Sequence, residues 1–249
     1  MAIADAKHTP LRWTVSAPEW SVTILCPKYI AALLANTLTG WTIAPCDTNA
    51  RAAIHVHHTD GQYDVDADVL RTPQHHSDLI DALNEVFVCL AYLVTGTIDG
   101  AVLLHCAAYG AADRCQIVVG DKNTGKSTRA YHQAYNGISI AADDLLIWTP
   151  KQGTFRTLGL PIRMRRPVLS PSGALADPDK FFAGRHIAYA RKGAFDVMPA
   201  GQTLILDHLW KLGPNHTATQ VSILKIPTTL NQHLIDADFL TLKKQLMDD

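Results

Sequence analysis

The densest chemistry in this chain lies in nine consecutive residues, Gly120-Asp121-Lys122-Asn123-Thr124-Gly125-Lys126-Ser127-Thr128. They spell Gly-x-x-x-x-Gly-Lys-Ser-Thr, the pattern of a loop that wraps a phosphate chain with its own backbone N–H groups. The two glycines allow the close approach, and a helix starting at the loop's end adds a favourable dipole. Lys126 is expected to reach the β- and γ-phosphates, and the Ser127 hydroxyl to sit on Mg²⁺. The whole segment Gly120 to Thr128 is therefore a candidate site for a nucleoside triphosphate, taken here as ATP with Mg²⁺.

Two carboxylates follow at a useful distance. Asp143 and Asp144 stand 17 and 18 residues after Lys126, at the end of the apolar run Ile138–Ala142. One carboxylate there can hold Mg²⁺, and the other can take a proton from an attacking hydroxyl. Adjacent residues on a strand face opposite sides, so the two divide these roles unless the strand bends. His105 lies fifteen residues before Gly120, at the end of another apolar run; taken alone, a histidine there is more often a satisfied core residue. Arg156, Arg163, Arg165 and Arg166 could neutralise a transferring phosphoryl group, grip a carboxylate on an acceptor, or form a solvated basic edge. Arg163 is the first choice, since it follows the break Gly159-Leu160-Pro161.

These residues need elements to hold them. Val102–Ala108 and Cys115–Val119 read as buried strands, the second feeding the loop, and Arg129–Tyr135 can continue as a helix. Ile138–Ala142 is expected as a strand beside the loop's own strand, with Leu145–Trp148 continuing it. Upstream, Leu11–Cys26 reads as two strands broken at Ala17-Pro18, Tyr29–Leu38 as a helix, and Asp60-Gly61 as a hairpin turn. A helix capped by Ser77 is expected to run to Val94, with Leu79, Leu83, Val86, Phe87 and Leu90 on one face. Phe155–Arg165 reads as a broken strand, Ser170–Lys180 as a loop, and Leu234–Met247 as a terminal helix. His55, His57, His58, His75 and His76 look like a metal cluster, but no Cys or carboxylate lies at ligand spacing, so they read as solvated.

Bulk properties exclude several classes. With 249 residues and 47% hydrophobic content the chain can bury a sizeable core. A net charge of −1 gives no field to recruit nucleic acid or anionic lipid. The five cysteines are odd in number and scattered, which argues against a disulfide framework or zinc knuckle and for reduced thiols in the cytoplasm. The first eight residues lack the apolar stretch of a signal peptide, and no run is long enough for a membrane span.

In combination, His105, the loop Gly120–Ser127 and Ala142-Asp143-Asp144 resemble the HPr kinase/phosphorylase family and its relatives near modified-peptide genes. The resemblance runs from Leu103 to Leu146 and more faintly to Arg163. It implies an α/β phosphate-loop fold of the HPr kinase and phosphoenolpyruvate carboxykinase type over residues 99–249. A small α+β N-terminal part, residues 1–98, would serve acceptor recognition. It implies phosphoryl transfer to a serine hydroxyl, with His105 in the active site, Asp144 as base and Ser127 on the metal; oligomers are common in the family. The chain departs from it at Thr154, which stands where a metal-binding glutamate is expected, and Asp143 could compensate. Residues 1–98 also do not match the family's N-terminal domain. The expected activity is thus a cytoplasmic ATP-dependent kinase of a peptide or small protein, with the product of a nearby gene as one candidate acceptor. A kinase of a small metabolite and a non-catalytic nucleotide sensor are the alternatives.

Overall fold

Two-residue hairpins, rather than helical crossovers, organise most of this chain. The computed structural model describes residues 9–46 and 50–234. In the N-terminal part, β1 (Pro10–Ala17), β2 (Trp20–Pro27), α1 (Lys28–Ala35), β3 (Thr42–Pro45), β4 (Ile54–Thr59), β5 (Gln62–Ala67) and β6 (Gln74–His76) precede the long helix α2 (Leu79–Thr95). The strands form one mixed sheet in the order β3-β1-β2-β4-β5-β6. The β4–β5 turn is Asp60-Gly61, both left-handed, as its sequence predicts. The cap of α2 is Asp78 rather than Ser77: the Asp78 carboxylate accepts from the N–H groups of Ile80 and Asp81.

The remaining strands are β7 (Val102–His105), β8 (Ala107–Ala111), β9 (Arg114–Gly120), β10 (Ser139–Ala142), β11 (Leu145–Thr149), β12 (Thr154–Arg156), β13 (Arg163–Arg165), β14 (Phe181–Ala183), β15 (Ile187–Ala190), β16 (Thr203–Leu212) and β17 (Ala218–Gln220). Two further α-helices, α3 (Lys126–Tyr135) and α4 (Ile226–Asn231), and three single-turn 3-10 helices complete the described elements. The second sheet runs β10-β8-β9-β16-β12-β11-β7, with β17 beside β16, and β13-β15-β14 make a small antiparallel third sheet.

This corrects the expected α/β phosphate-loop fold. The chain is mostly β, with 40% of the structure in strands and 22% in helices, in mixed and antiparallel sheets that include a half-barrel. Connectivity supplies the reason. The loop strand β9 has the antiparallel hairpin partner β8 on one side and the parallel β16 on the other, so β10 lies beside β8 and not beside β9. Since β7 runs into β8 and β10 into β11, the two ends of the sheet belong to one bent antiparallel ribbon, and the sheet curls.

Alternation along the curled strands sorts residues between its faces. Leu104, Cys106, Ala108, Cys115, Ile117, Val119, Leu146 and Trp148 fill the inside with Leu230 of α4. Ala107, Tyr109 and Val118 face outward to α3 through Ala130, Tyr131 and Ala134. Helix α2 buries Leu83, Val86, Phe87 and Leu90 in a core shared with the first sheet and with Leu103, Leu145 and Ile147 of the second. The two parts also meet at Gly159, whose φ of 63° is left-handed and whose ideal Cβ would lie 2.0 Å from Thr39 O, so no larger residue fits there. Trp41 Nε1 donates to Leu158 O at 2.7 Å across the same junction.

All five cysteines are free, and Cys26, Cys89, Cys106 and Cys115 are buried. No helix among the described residues is long and apolar enough to cross a membrane. The segment expected as a terminal helix, Leu234–Met247, lies outside the described residues after its first position.

Candidate active site

The loop is held by its two ends. Strand β9 fixes Gly120 between β8 and β16, and α3 starts at Lys126. Gly125 has φ 95°, a left-handed value suited to glycine, and a Cβ there would come within 2.6 Å of His216 Nδ1. His216 Nδ1 in turn lies 2.7 Å from Thr124 O, covering the loop from outside. Among the described residues, the backbone N–H groups of Lys122, Asn123, Gly125 and Lys126 have no backbone acceptor, while Thr124 donates to Asp121 O at 3.3 Å. Backbone N–H groups left without acceptors in a loop at a helix start are suited to an anion. Lys126 is buried and folds across the loop, donating to Gly120 O at 2.7 Å and Asp121 O at 3.1 Å. Burial pushes its pKa down, against the carboxylates of Asp144, Asp121 and Asp143, which raise it.

The carboxylate pair sits at a bend. The ribbon breaks at Cys106 on one side and at Asp143-Asp144 on the other, and the two breaks face each other through Cys106 N–H donating to Asp144 O at 3.1 Å. A straight strand would send the two side chains apart. The bend instead brings both to Arg163. Asp143 Oδ2 accepts from the Arg163 backbone N–H at 2.6 Å, and Asp144 Oδ2 lies 3.1 Å from Arg163 Nη2. The other oxygen of Asp144 is 3.1 Å from His105 Nε2. Thus His105, Asp143, Asp144 and Arg163, four residues expected from sequence, form one cluster, electrostatically coupled to Lys126.

The neighbours drive the two carboxylates apart. Burial pushes Asp143 up to about 7, although the Arg163 N–H and charge oppose it. Burial also raises Asp144, but the hydrogen bond from His105 and the charges of Arg163, His105 and Lys126 outweigh it and hold the carboxyl below its ordinary value. Asp144 is therefore anionic at neutral pH while Asp143 titrates there. Such a split is a signature of divided roles.

Asp143 also provides the test for a metal. Its Oδ1 is buried with no hydrogen-bond partner among the described residues. The Ser127 hydroxyl is close enough to favour the ionised carboxylate. An orphaned carboxylate oxygen beside a hydroxyl suits a hard cation such as Mg²⁺. No group of three or more His, Cys, Asp or Glu side chains suited to a metal exists among the described residues. A cation here would complete its shell with phosphate oxygens and water, as Mg²⁺ usually does.

Other candidates fall elsewhere. Arg156 is paired with Glu19, Arg165 is exposed, and Arg166 donates to Gly184 O, so the arginines do not act as a group. Thr154 pairs with Thr149, at the end of β11 remote from Asp144, so no side chain at that position reaches the loop. His58 stacks on Tyr63 at 4.2 Å, His75 pairs with Asp64 at 2.6 Å, and His55 Nε2 meets Ala52 O at 3.0 Å.

Sequence reasoning misses two members of the cluster. Asn84 Oδ1 accepts from Arg163 Nη1 at 2.9 Å and from Tyr189 OH at 2.7 Å, fixing the guanidinium from the side opposite Asp144. The one available signal is an amide next to the apolar stripe of α2; nothing in the spacing marks Tyr189. Comparison of the chain with protein-family models and with curated proteins returned no match.

Proposed function

We propose that this chain is an ATP- and Mg²⁺-dependent kinase acting on a hydroxyl, in the first instance a serine of a peptide or small protein in the cytoplasm. The observation that carries the reading is the cluster in which Asp144 lies between His105 and Arg163, with Asp143 on the Arg163 N–H, beside the loop that holds Lys126. A phosphate cradle that merely binds nucleotide needs one carboxylate for a cation; here a second, ionised carboxylate is held by His105 and Arg163. The likeness of His105, Gly120–Ser127 and Ala142-Asp143-Asp144 to HPr-kinase-like proteins supports the same reading.

In this proposal the loop N–H groups and Lys126 bind the triphosphate, Lys126 leaving the carbonyls of Gly120 and Asp121 for phosphate oxygens. Ser127 and Asp143 would hold Mg²⁺, which would supply charge neutralisation to the triphosphate. Arg163, fixed by Asn84, faces the negative charge spread over the transferring group. Asp144 orients the acceptor hydroxyl and receives its proton late. A carboxylate of low basicity is adequate when the transition state is loose and the hydroxyl is only weakly deprotonated.

The test is intact-mass spectrometry of candidate acceptors after incubation with the protein, ATP and Mg²⁺. The panel holds short serine peptides, HPr and free serine as a small metabolite, with Lys126→Ala as blank. A gain of one phosphoryl group that the blank lacks is expected; no gain on any acceptor counts against the kinase. One observation favours a second reading, a non-catalytic nucleotide sensor: both oxygens of Asp144 are already engaged. ATP binding by calorimetry without transfer or hydrolysis is the outcome that reading predicts.

A further inference from the structure

After β17 the chain returns once more to the phosphate loop. Helix α4 ends at Asn231, and residues 232–234 then lie along β7. His105 N–H donates to His233 O at 2.9 Å, and Leu104 pairs antiparallel with Leu234. Leu230, fully buried among the residues inside the half-barrel, anchors the segment from behind. Between this segment and the loop lies a cavity of about 350 Å³. Gly120, Asp121 and Lys122 wall one side, Gln232, His233 and Leu234 the other, with His105 also lining it. His233 Nε2 is shielded from solvent and has no hydrogen-bond partner among the described residues.

A buried ring nitrogen without a partner is costly, and such groups are normally satisfied by something. The His233 ring lines the cavity, and a rotation that turns Nε2 into it would meet whatever the cavity holds. Its opposite wall is the start of the anion cradle, so the complementary ligand is an anionic oxygen. Its volume is at the low end for ligand sites, which suits a phosphoryl end and not a whole nucleotide.

We infer that His233 is a phosphate-binding residue, donating from Nε2 to a terminal phosphoryl oxygen of the nucleoside triphosphate held by Gly120–Ser127. This rests on the nucleotide reading given above and adds a wall that the loop motif does not contain. The charged and titratable groups acting on His233 are Lys126, Lys211, Asp121 and His105, and Lys122 lines the opposite wall of the same cavity. Burial first, then Lys126, Lys211 and His105, depress its pKa, with Asp121 opposing, so the ring is neutral near pH 7. An incoming anionic oxygen reverses that balance, and the ring takes a proton from solvent as the ligand binds.

The experiment is calorimetric titration of the full chain with Mg-ATP and with Mg-ADP, in buffers of different ionisation enthalpy. Wild type, His233→Gln and, as a control at an exposed neighbour outside the cavity lining, Asn231→Ala are compared. Asp143 can release a proton to Mg²⁺ in all three, so the difference between proteins isolates His233. We expect His233→Gln to weaken ATP about tenfold, as loss of a charge-assisted hydrogen bond does. It should take up fewer protons than wild type and leave ADP unchanged, while Asn231→Ala behaves as wild type. Repeating the titration with His233→Asn, alongside matching thermal midpoints, excludes a folding defect. Equal ATP affinity and equal proton uptake in wild type and His233→Gln overturn the inference alone. A wild type that binds neither nucleotide overturns the nucleotide reading and this inference with it.

Discussion

Asp143 is a buried carboxylate whose ionisation the fold resists, and this has a measurable cost. Its pKa rises from the ordinary 3.8 to about 7, with burial the leading cause. Below pH 3.8 it is protonated in both folded and unfolded chains and contributes nothing further. Between 3.8 and 7 the folded state keeps a proton that the unfolded chain has lost, so stability falls as pH rises. At 1.36 kcal/mol per pH unit, the full loss by pH 7 is about 4 kcal/mol. Asp143→Asn removes this dependence while still offering an oxygen to the Arg163 N–H. Urea unfolding of both proteins in EDTA should show the variant gaining on wild type by about 2 kcal/mol between pH 5.5 and 7, and levelling off above. All other groups titrate in both proteins, so the difference belongs to Asp143. Millimolar Mg²⁺ at pH 8 should then stabilise wild type and leave the variant unmoved. A stability difference that stays constant from pH 5.5 to 8 refutes the argument.

Five further outcomes are expected. Asp144→Asn should lower turnover on any acceptor while leaving ATP affinity within about twofold, because the carboxylate acts on the hydroxyl and not on the nucleotide; normal turnover removes Asp144 from that role. Arg163→Lys keeps the charge but cannot bond Asp144 and Asn84 with one planar fork, and should reduce turnover about 100-fold in a single-turnover assay. Gly159→Ala forces a Cβ against Thr39 O and should cost about 2–4 kcal/mol in urea unfolding. Gly61→Ala, also left-handed but open to solvent, should cost about 1 kcal/mol. Trp41→Phe leaves Leu158 O buried without its donor and should cost about 1–3 kcal/mol.

The nine-residue loop, the helix after it and the hairpin at Asp60-Gly61 could be read from sequence because each depends on neighbours in the chain. A left-handed Gly125, a helix start at Lys126 and a two-residue turn are local matters. His105, Asp143 and Asp144 were also visible, as polar residues ending apolar runs. Their arrangement was not. Whether two adjacent aspartates diverge or converge depends on a bend in the ribbon, and that bend is set by strand pairing 30 or more residues away, where β7 meets β11. The same non-local pairing turned an expected α/β fold into a curled, mostly β one: the apolar pattern of β8 and β9 is equally compatible with parallel neighbours, and only the partners chosen decide. The exclusion of Arg156 and the inclusion of Asn84 follow likewise from tertiary contacts across 137 and 79 positions. Sequence determined which side chains are chemically capable; the sheet's closure decided which of them share a site, because charge interactions fall off within a few ångströms and only the folded backbone sets those distances.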